Sequence, residues 1–134
     1  MKLVVDANII FSALIAGKLT DIFLSPKLEL FAPELLFVEI RKHKEELKQK
    51  SHLSEEDFEI IFNLLRRRIK IVSMTRFIHN FRKAEELLED HIKDAPYLAL
   101  ALELRCPFWS YEKRFKKIKD IECLTTKEVA KLIK

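Results

Sequence analysis

Short apolar runs of strand length alternate with segments of helical period along the whole chain, and no other feature limits the fold as tightly. Leu3-Val4-Val5 is a β-branched run ended by a charge, Leu28 to Ala32 is a second run closed by Pro33, and Ile69 to Ser73 is a third. Phe108-Trp109-Ser110 and Ile121 to Leu124 read as the fourth and fifth. Helical segments lie between them. Asn8 to Leu14 leads into a helix, Asp21 to Leu24 is a short helix stopped near Pro26, and Glu34 to Leu47 is a longer one with Pro33 just inside its start. Ser54 opens another, with Asp57 three residues on, and Phe58, Ile61, Phe62 and Leu65 follow at amphipathic spacing. Phe77, Phe81, Ala84 and Leu88 repeat on a further helix, while Leu98-Ala99-Leu100-Ala101-Leu102 is apolar all round, the mark of a buried helix. Thr125-Thr126-Lys127-Glu128 is a capping box that opens the last helix. Strands alternating with helices predict an α/β domain built on a central parallel sheet of about five strands, with helix outweighing strand. The 134 residues read as a single domain, 1–134.

Composition removes several classes of function. Apolar residues make up 49% of the chain and charged residues 34%, enough apolar surface to offset the entropy of ordering. No apolar run approaches the roughly 20 residues that span a bilayer, and Asp6 interrupts any signal-peptide core, so a cytoplasmic protein without a membrane partner is expected. The single glycine, Gly17, excludes both G-x-G-x-x-G and Walker loops. Cys106 and Cys123 are too few for a disulfide framework or a zinc site. His43, His52, His79 and His91 show no ligand spacing. A net charge of +4 permits a polyanionic partner without demanding one.

The carboxylates are the informative residues. In an open parallel sheet, ligands bind outside the carboxyl ends of the strands. Asp6 directly follows the first strand, and Glu112 follows the fourth, two residues after Ser110. Asp94 opens the buried helix that leads to that strand, and Glu39 interrupts the apolar run Leu35-Leu36-Phe37-Val38-Glu39-Ile40. Each has an ordinary alternative: a helix cap for Asp6 and Asp94, an outward position for Glu39, a surface ion pair for Glu112. Together they describe one acidic crevice. Converging carboxylates repel one another and raise their pKa values, and a hard divalent cation, Mg²⁺ or Mn²⁺, removes that conflict. A signalling receiver domain also places acids at strand ends. It needs paired acids after the first strand and an Asp after the third, whereas Asp6 stands alone and Ser73-Met74-Thr75 follow the third strand here.

These residues resemble the PIN-domain ribonucleases, of the kind found as the VapC toxin of toxin–antitoxin pairs. Leu3-Val4-Val5-Asp6-Ala7-Asn8-Ile9-Ile10 is similar to the family's first motif, Pro33-Glu34-Leu35-Leu36-Phe37-Val38-Glu39-Ile40 to the second, and Asp94-Ala95-Pro96-Tyr97-Leu98-Ala99-Leu100-Ala101-Leu102 to the third. Phe108-Trp109-Ser110-Tyr111-Glu112 falls where the family has a strand, a Thr or Ser, and then an Asp. The chain departs from that pattern in Glu112 for Asp and in Tyr111 for a glycine that often precedes the acid. The resemblance implies a three-layer PIN-like domain with helices on both faces of the sheet. It also implies a metal-dependent endoribonuclease in which Asp6, Glu39, Asp94 and Glu112 are catalytic and bind Mg²⁺ or Mn²⁺, with Asn8 and Ser110 orienting a water or a carboxylate.

An acidic pocket repels RNA, so basic residues must surround it. Lys113, Arg114, Lys116 and Lys117 follow Glu112 and are candidates to hold the phosphates of an RNA substrate; Arg66-Arg67-Arg68 is a second cluster, explained equally well by the helix end on which it lies. Tyr111 and Trp109 are candidates to stack a base, although Trp109 lies in an apolar strand, where a core role is the simpler reading. On the toxin reading a small antitoxin protein should bind the domain. The helix pair from Glu34 to Arg68, with Leu36, Phe37, Phe58 and Phe62, would supply a groove for it or a homodimer face, unless these side chains are ordinary core. The alternative function is a PIN-like RNA- or protein-binding domain without nuclease activity, which the departures at Tyr111 and Glu112 favour.

Overall fold

The computed structural model describes residues 1–17, 21–89 and 92–134. His91, read above as having no ligand partner, lies outside these residues. Five strands form one sheet: β1 (Lys2–Val5), β2 (Glu29–Pro33), β3 (Ile69–Val72), β4 (Phe108–Trp109) and β5 (Cys123–Leu124). They pair in the order β3-β2-β1-β4-β5, and every pair is parallel. The helices are α1 (Ala7–Ala16), α2 (Asp21–Leu24), α3 (Leu35–Lys42), α4 (Lys44–Ser51), α5 (Glu55–Arg68), α6 (Phe81–Leu88), α7 (Ala95–Leu104) and α8 (Thr126–Leu132).

The strand order explains the three layers. From β1 the chain steps outward to β2 and β3, then returns past β1 to β4 and β5. Right-handed crossovers running in opposite directions place their helices on opposite faces of the sheet. On one side α1 packs against α4 and α5; α7 lies against β1, β2 and α6. The central strand is therefore covered on both faces. Leu3, Val4 and Val5 are all fully buried, which is why β1 reads as a continuous apolar run without alternation. Seven consecutive residues of α7, Ala95 to Ala101, are also buried, as its uniform hydrophobicity predicts.

Local chemistry sets the helix ends. Ser54 accepts a hydrogen bond from the Asp57 amide at the start of α5, and Thr125 and Glu128 form the reciprocal capping box of α8. Gly17 closes α1 at φ 72°, a left-handed conformation that costs glycine little.

Three expectations are corrected. The helix expected over 34–47 is two helices, broken at His43, so that α3 lies along β2 while α4 turns to pack on α1. Pro33 ends β2, where it sits opposite Val72 of β3, and does not open a helix. Phe77 precedes α6 in a pair of 3₁₀ turns, Met74–Arg76 and Ile78–Asn80. Leu36, Phe58 and Phe62 belong to the core, with Phe37 edge-on to Phe62 at 5.5 Å; the exposed apolar residues of that helix pair are Val38, Ile60 and Leu64.

The basic run at the end of α5 is structural in part. The guanidinium of Arg68 donates to the carbonyls of Phe23 and Ser25, and to that of Leu28 at 2.7 Å. One planar fork thus binds three carbonyls from α2 to the residue before β2. Arg68→Met should lower the unfolding free energy by about 2–3 kcal/mol in urea titrations, and Arg68→Lys should restore less than half of it, because an ammonium lacks the fork. An unchanged urea midpoint in Arg68→Met would show that these bonds contribute nothing net.

Candidate active site

The strand order reverses between β1 and β4, which makes the crevice at their carboxyl ends the switch point of the sheet. Register fills it. Val5 pairs with Trp109, so the next residues on the two strands, Asp6 and Ser110, stand side by side. The Asp6 amide donates to the Trp109 carbonyl at 3.0 Å, and the Ser110 hydroxyl donates to Asp6 Oδ2 at 2.7 Å. Asp6 and Ser110 are the polar residues of the otherwise apolar buried set, at 3% and 1% exposure. Ser110 Oγ also accepts from the Glu112 amide at 3.1 Å, which ties the loop carrying Glu112 to the end of β1.

The Asp6 carboxyl is pushed up from its ordinary 3.8 to about 6. Loss of hydration is the main cause, and the charges of Asp94 and Glu112 add to it; the Ser110 hydroxyl and the Asn8 amide oppose it. Glu39 is half-buried on α3 and is raised as well, first by burial and then by Asp94, while the Tyr97 hydroxyl, 3.3 Å from its Oε1, acts in the opposite direction. A cleft of about 570 Å³ opens above these groups. Its walls bring together Asp6, Asn8, Glu39 and Asp94; Glu112 does not line it, and only its backbone amide is tied to Ser110. Asp94 makes no capping bond to α7.

Arg114 forms the ion pair that the sequence left open for Glu112, and a bond to Asp94 that spacing did not suggest. Its Nη2 donates to Asp94 Oδ2 at 2.6 Å, and its Nη1 lies 3.8 Å from Glu112 Oε2. It is thus paired with two of the four acids and is not a free phosphate ligand. Lys116 is committed elsewhere, to Glu128 and to the Cys123 carbonyl. Lys113 is exposed. Lys117 lines a second cleft of about 500 Å³, with Arg114 and Lys119. Two further cations, Lys42 and Lys93, line the acidic cleft. Both were open to discovery in the sequence, since Lys42 follows Glu39 at the i+3 helical spacing and Lys93 adjoins Asp94. Trp109 is 1% exposed and its indole N–H donates to Thr126 Oγ1 at 3.0 Å, so it is core, whereas Tyr111 is 53% exposed. Burial pushes the Cys106 and Cys123 thiols up to about 11, which leaves neither poised as a nucleophile.

Among the described residues, no three Asp, Glu, His or Cys side chains converge closely enough to hold a metal ion as they stand. The donor chemistry nevertheless fits a hard divalent cation. Every ionisable acid of the site is a carboxylate, and Asp6 is buried facing two others with no salt bridge of its own among the described residues. One of those carboxylates, Asp94, is engaged by the Arg114 guanidinium.

Carboxylates at the switch point of a parallel α/β sheet mark a ligand-binding crevice. Residues 4–131 match the PIN domain family, and the chain belongs to that family. In fold it is similar to a chain in the crystal structure of VapBC2 from Rickettsia felis bound to a DNA fragment from their promoter. The TM-score is 0.70 at 14% identity, covering 93% of this chain and 98% of that one. No curated protein matches the sequence significantly.

The raised Asp6 pKa has a stability consequence with a definite sign. Between pH 4 and 6 the folded chain binds more protons than the unfolded one, so this group's contribution to stability falls as pH rises through that window. In EDTA at pH 7, Asp6→Asn should be more stable than the wild type by on the order of 3 kcal/mol, with the two converging near pH 4. Urea denaturation at a series of pH values measures the difference, and a constant gap across the range would contradict the assignment.

Proposed function

We propose that the chain is a metal-dependent endoribonuclease that hydrolyses RNA phosphodiester bonds at the Asp6, Glu39, Asp94, Glu112 cluster. One observation carries this reading: a carboxylate buried at the sheet's switch point feels the charges of Asp94 and Glu112 and has no cation of its own among the described residues. An unpaired ion is costly to bury, and residues that break the burial rule in this way cluster at functional sites. Mg²⁺ or Mn²⁺ bound there would acidify a water and withdraw charge from the scissile phosphate. Asp6 and Asp94 would hold the ion, with Glu39 and Glu112 completing the cluster. Ser110 fixes the Asp6 carboxylate through its 2.7 Å bond. Asn8 lines the cleft beside it, positioned to orient a water. Lys113, Lys117, Lys42 and Lys93 surround the acids with positive charge that would draw in the phosphate backbone.

The likeness to VapBC2 supports a toxin of a toxin–antitoxin pair, with a small antitoxin as partner. Val38, Ile60 and Leu64 are the apolar positions on the α3–α5 pair left for that partner or for a homodimer. No described helix is long and apolar enough to cross a membrane. A second reading, an RNA- or protein-binding domain without catalysis, is favoured by the pairing of Arg114 with Asp94.

Wild-type protein with Mn²⁺ or Mg²⁺ should cleave a labelled single-stranded RNA. EDTA, or an Asp6→Asn, Asp94→Asn double substitution, should slow cleavage by on the order of a hundredfold or more. Cleavage that survives in the double variant would remove the site assignment, and metal binding without cleavage of any RNA would favour the second reading.

A further inference from the structure

We infer that Arg114 is an exchangeable counter-ion of the acidic site, held by Asp94 when no divalent cation is bound and transferred to a substrate phosphate when one is. The inference rests on the metal-site reading above. Four observations carry it.

The first is the bond itself. Asp94 is one of the carboxylates that a cation would need, and the Arg114 guanidinium holds its Oδ2 at 2.6 Å. A divalent ion on the same carboxylate would compete with the guanidinium through the repulsion between the two cations. The second is the way the fork is used. The Nε–Nη2 edge of an arginine binds a carboxylate or a phosphate through two parallel bonds. Here Nη2 is bonded, while Nε is buried without a partner among the described residues. Half of the fork is unsatisfied, a costly arrangement for a charged donor. An anion presenting two oxygens, as a phosphodiester does, would satisfy both. The third is the support beneath the group. The guanidinium carbon lies 4.8 Å from the centroid of the Phe115 ring, which is buried and in turn packs on Phe108 of β4. That platform keeps the charge at the site whichever anion it holds. The fourth is location. Arg114 also lines a neighbouring cleft whose walls carry Lys117 and Lys119 beside Glu89 and Asp120, so its side chain stands at the edge of that cleft while its guanidinium rests on Asp94.

The exchange balances charge at each stage. Without a cation, Arg114 neutralises part of the Asp94 and Glu112 pair. With a cation on Asp94, the guanidinium is displaced, and the phosphate is the new anion within reach. Metal and phosphate should therefore bind cooperatively through Arg114.

Calorimetric titration of metal-stripped protein with Mn²⁺ tests this, with adenosine monophosphate as the phosphate probe. Arg114→Met should bind Mn²⁺ about tenfold more tightly than the wild type, because the competing cation is gone. Saturating adenosine monophosphate should tighten Mn²⁺ binding several-fold in the wild type and leave Arg114→Met unchanged. Arg114→Lys, which keeps the charge without the fork, should retain near-wild-type Mn²⁺ affinity and lose the coupling to the nucleotide; it also serves if Arg114→Met does not fold. Equal Mn²⁺ affinities in wild type and Arg114→Met, or nucleotide coupling that survives in both variants, would overturn the exchange while leaving the metal site intact. No Mn²⁺ binding by wild type and Arg114→Met alike would overturn the metal-site reading, and the exchange with it.

Discussion

A carboxylate buried at the end of the innermost strand is the constraint around which the rest of this molecule is arranged. Asp6 is 3% exposed, at the junction of β1 and α1. An isolated charge there would cost far more than a small domain can spare. The surrounding structure reduces that cost without removing it. Parallel pairing of β1 with β4 sets the Ser110 hydroxyl against the carboxylate, and α7, packed on β1 and β2, brings Asp94 within range of its field. The result is a proton affinity raised well above that of an ordinary aspartate. Residues that break the rules of burial in this way cluster at functional sites, where stability is given up for chemistry.

The acids are unequally compensated. Asp94 and Glu112 have a guanidinium, Glu39 has a phenol hydroxyl, and Asp6 has a serine hydroxyl. On the proposed metal-site reading, an exchangeable counter-ion on Asp94 and a fixed dipole on the buried Asp6 suit a site that receives a cation from solvent and keeps its deepest ligand in place. Neutral hydroxyls around Asp6 also leave its charge available, whereas a permanent lysine or arginine partner would have consumed it.

Much of this was legible in the residues. The five strands and most of the helices follow from apolar runs of the right length and from caps at Ser54 and Thr125. Strand-end logic singled out the carboxylates, and the structure places Asp6, Glu39 and Asp94 around one cleft. Less visible was the fate of long, flexible side chains. Arg114, Lys116 and Arg68 look alike as members of basic runs, yet one neutralises the acids, one closes onto α8 and one ties down the chain before β2. Charge runs describe composition; partners are chosen by what tertiary packing brings within a few ångströms. The break at His43 was hidden for a related reason, since helical propensity continues through it and only the separate docking of α3 and α4 demands a turn.

The sequence by itself determined the class of fold, because hydrophobic period and turn chemistry are local properties, and β1 and α7 announce their burial through unbroken apolar composition. It also singled out four acids beside apolar segments, each with an ordinary alternative. Tertiary structure decided the rest. Strand order placed the switch point between β1 and β4, register set Ser110 against Asp6, and the short turn after Glu112 carried Arg114 onto Asp94 from twenty residues away. Those contacts depend on distances across the chain, which period and spacing along it do not encode.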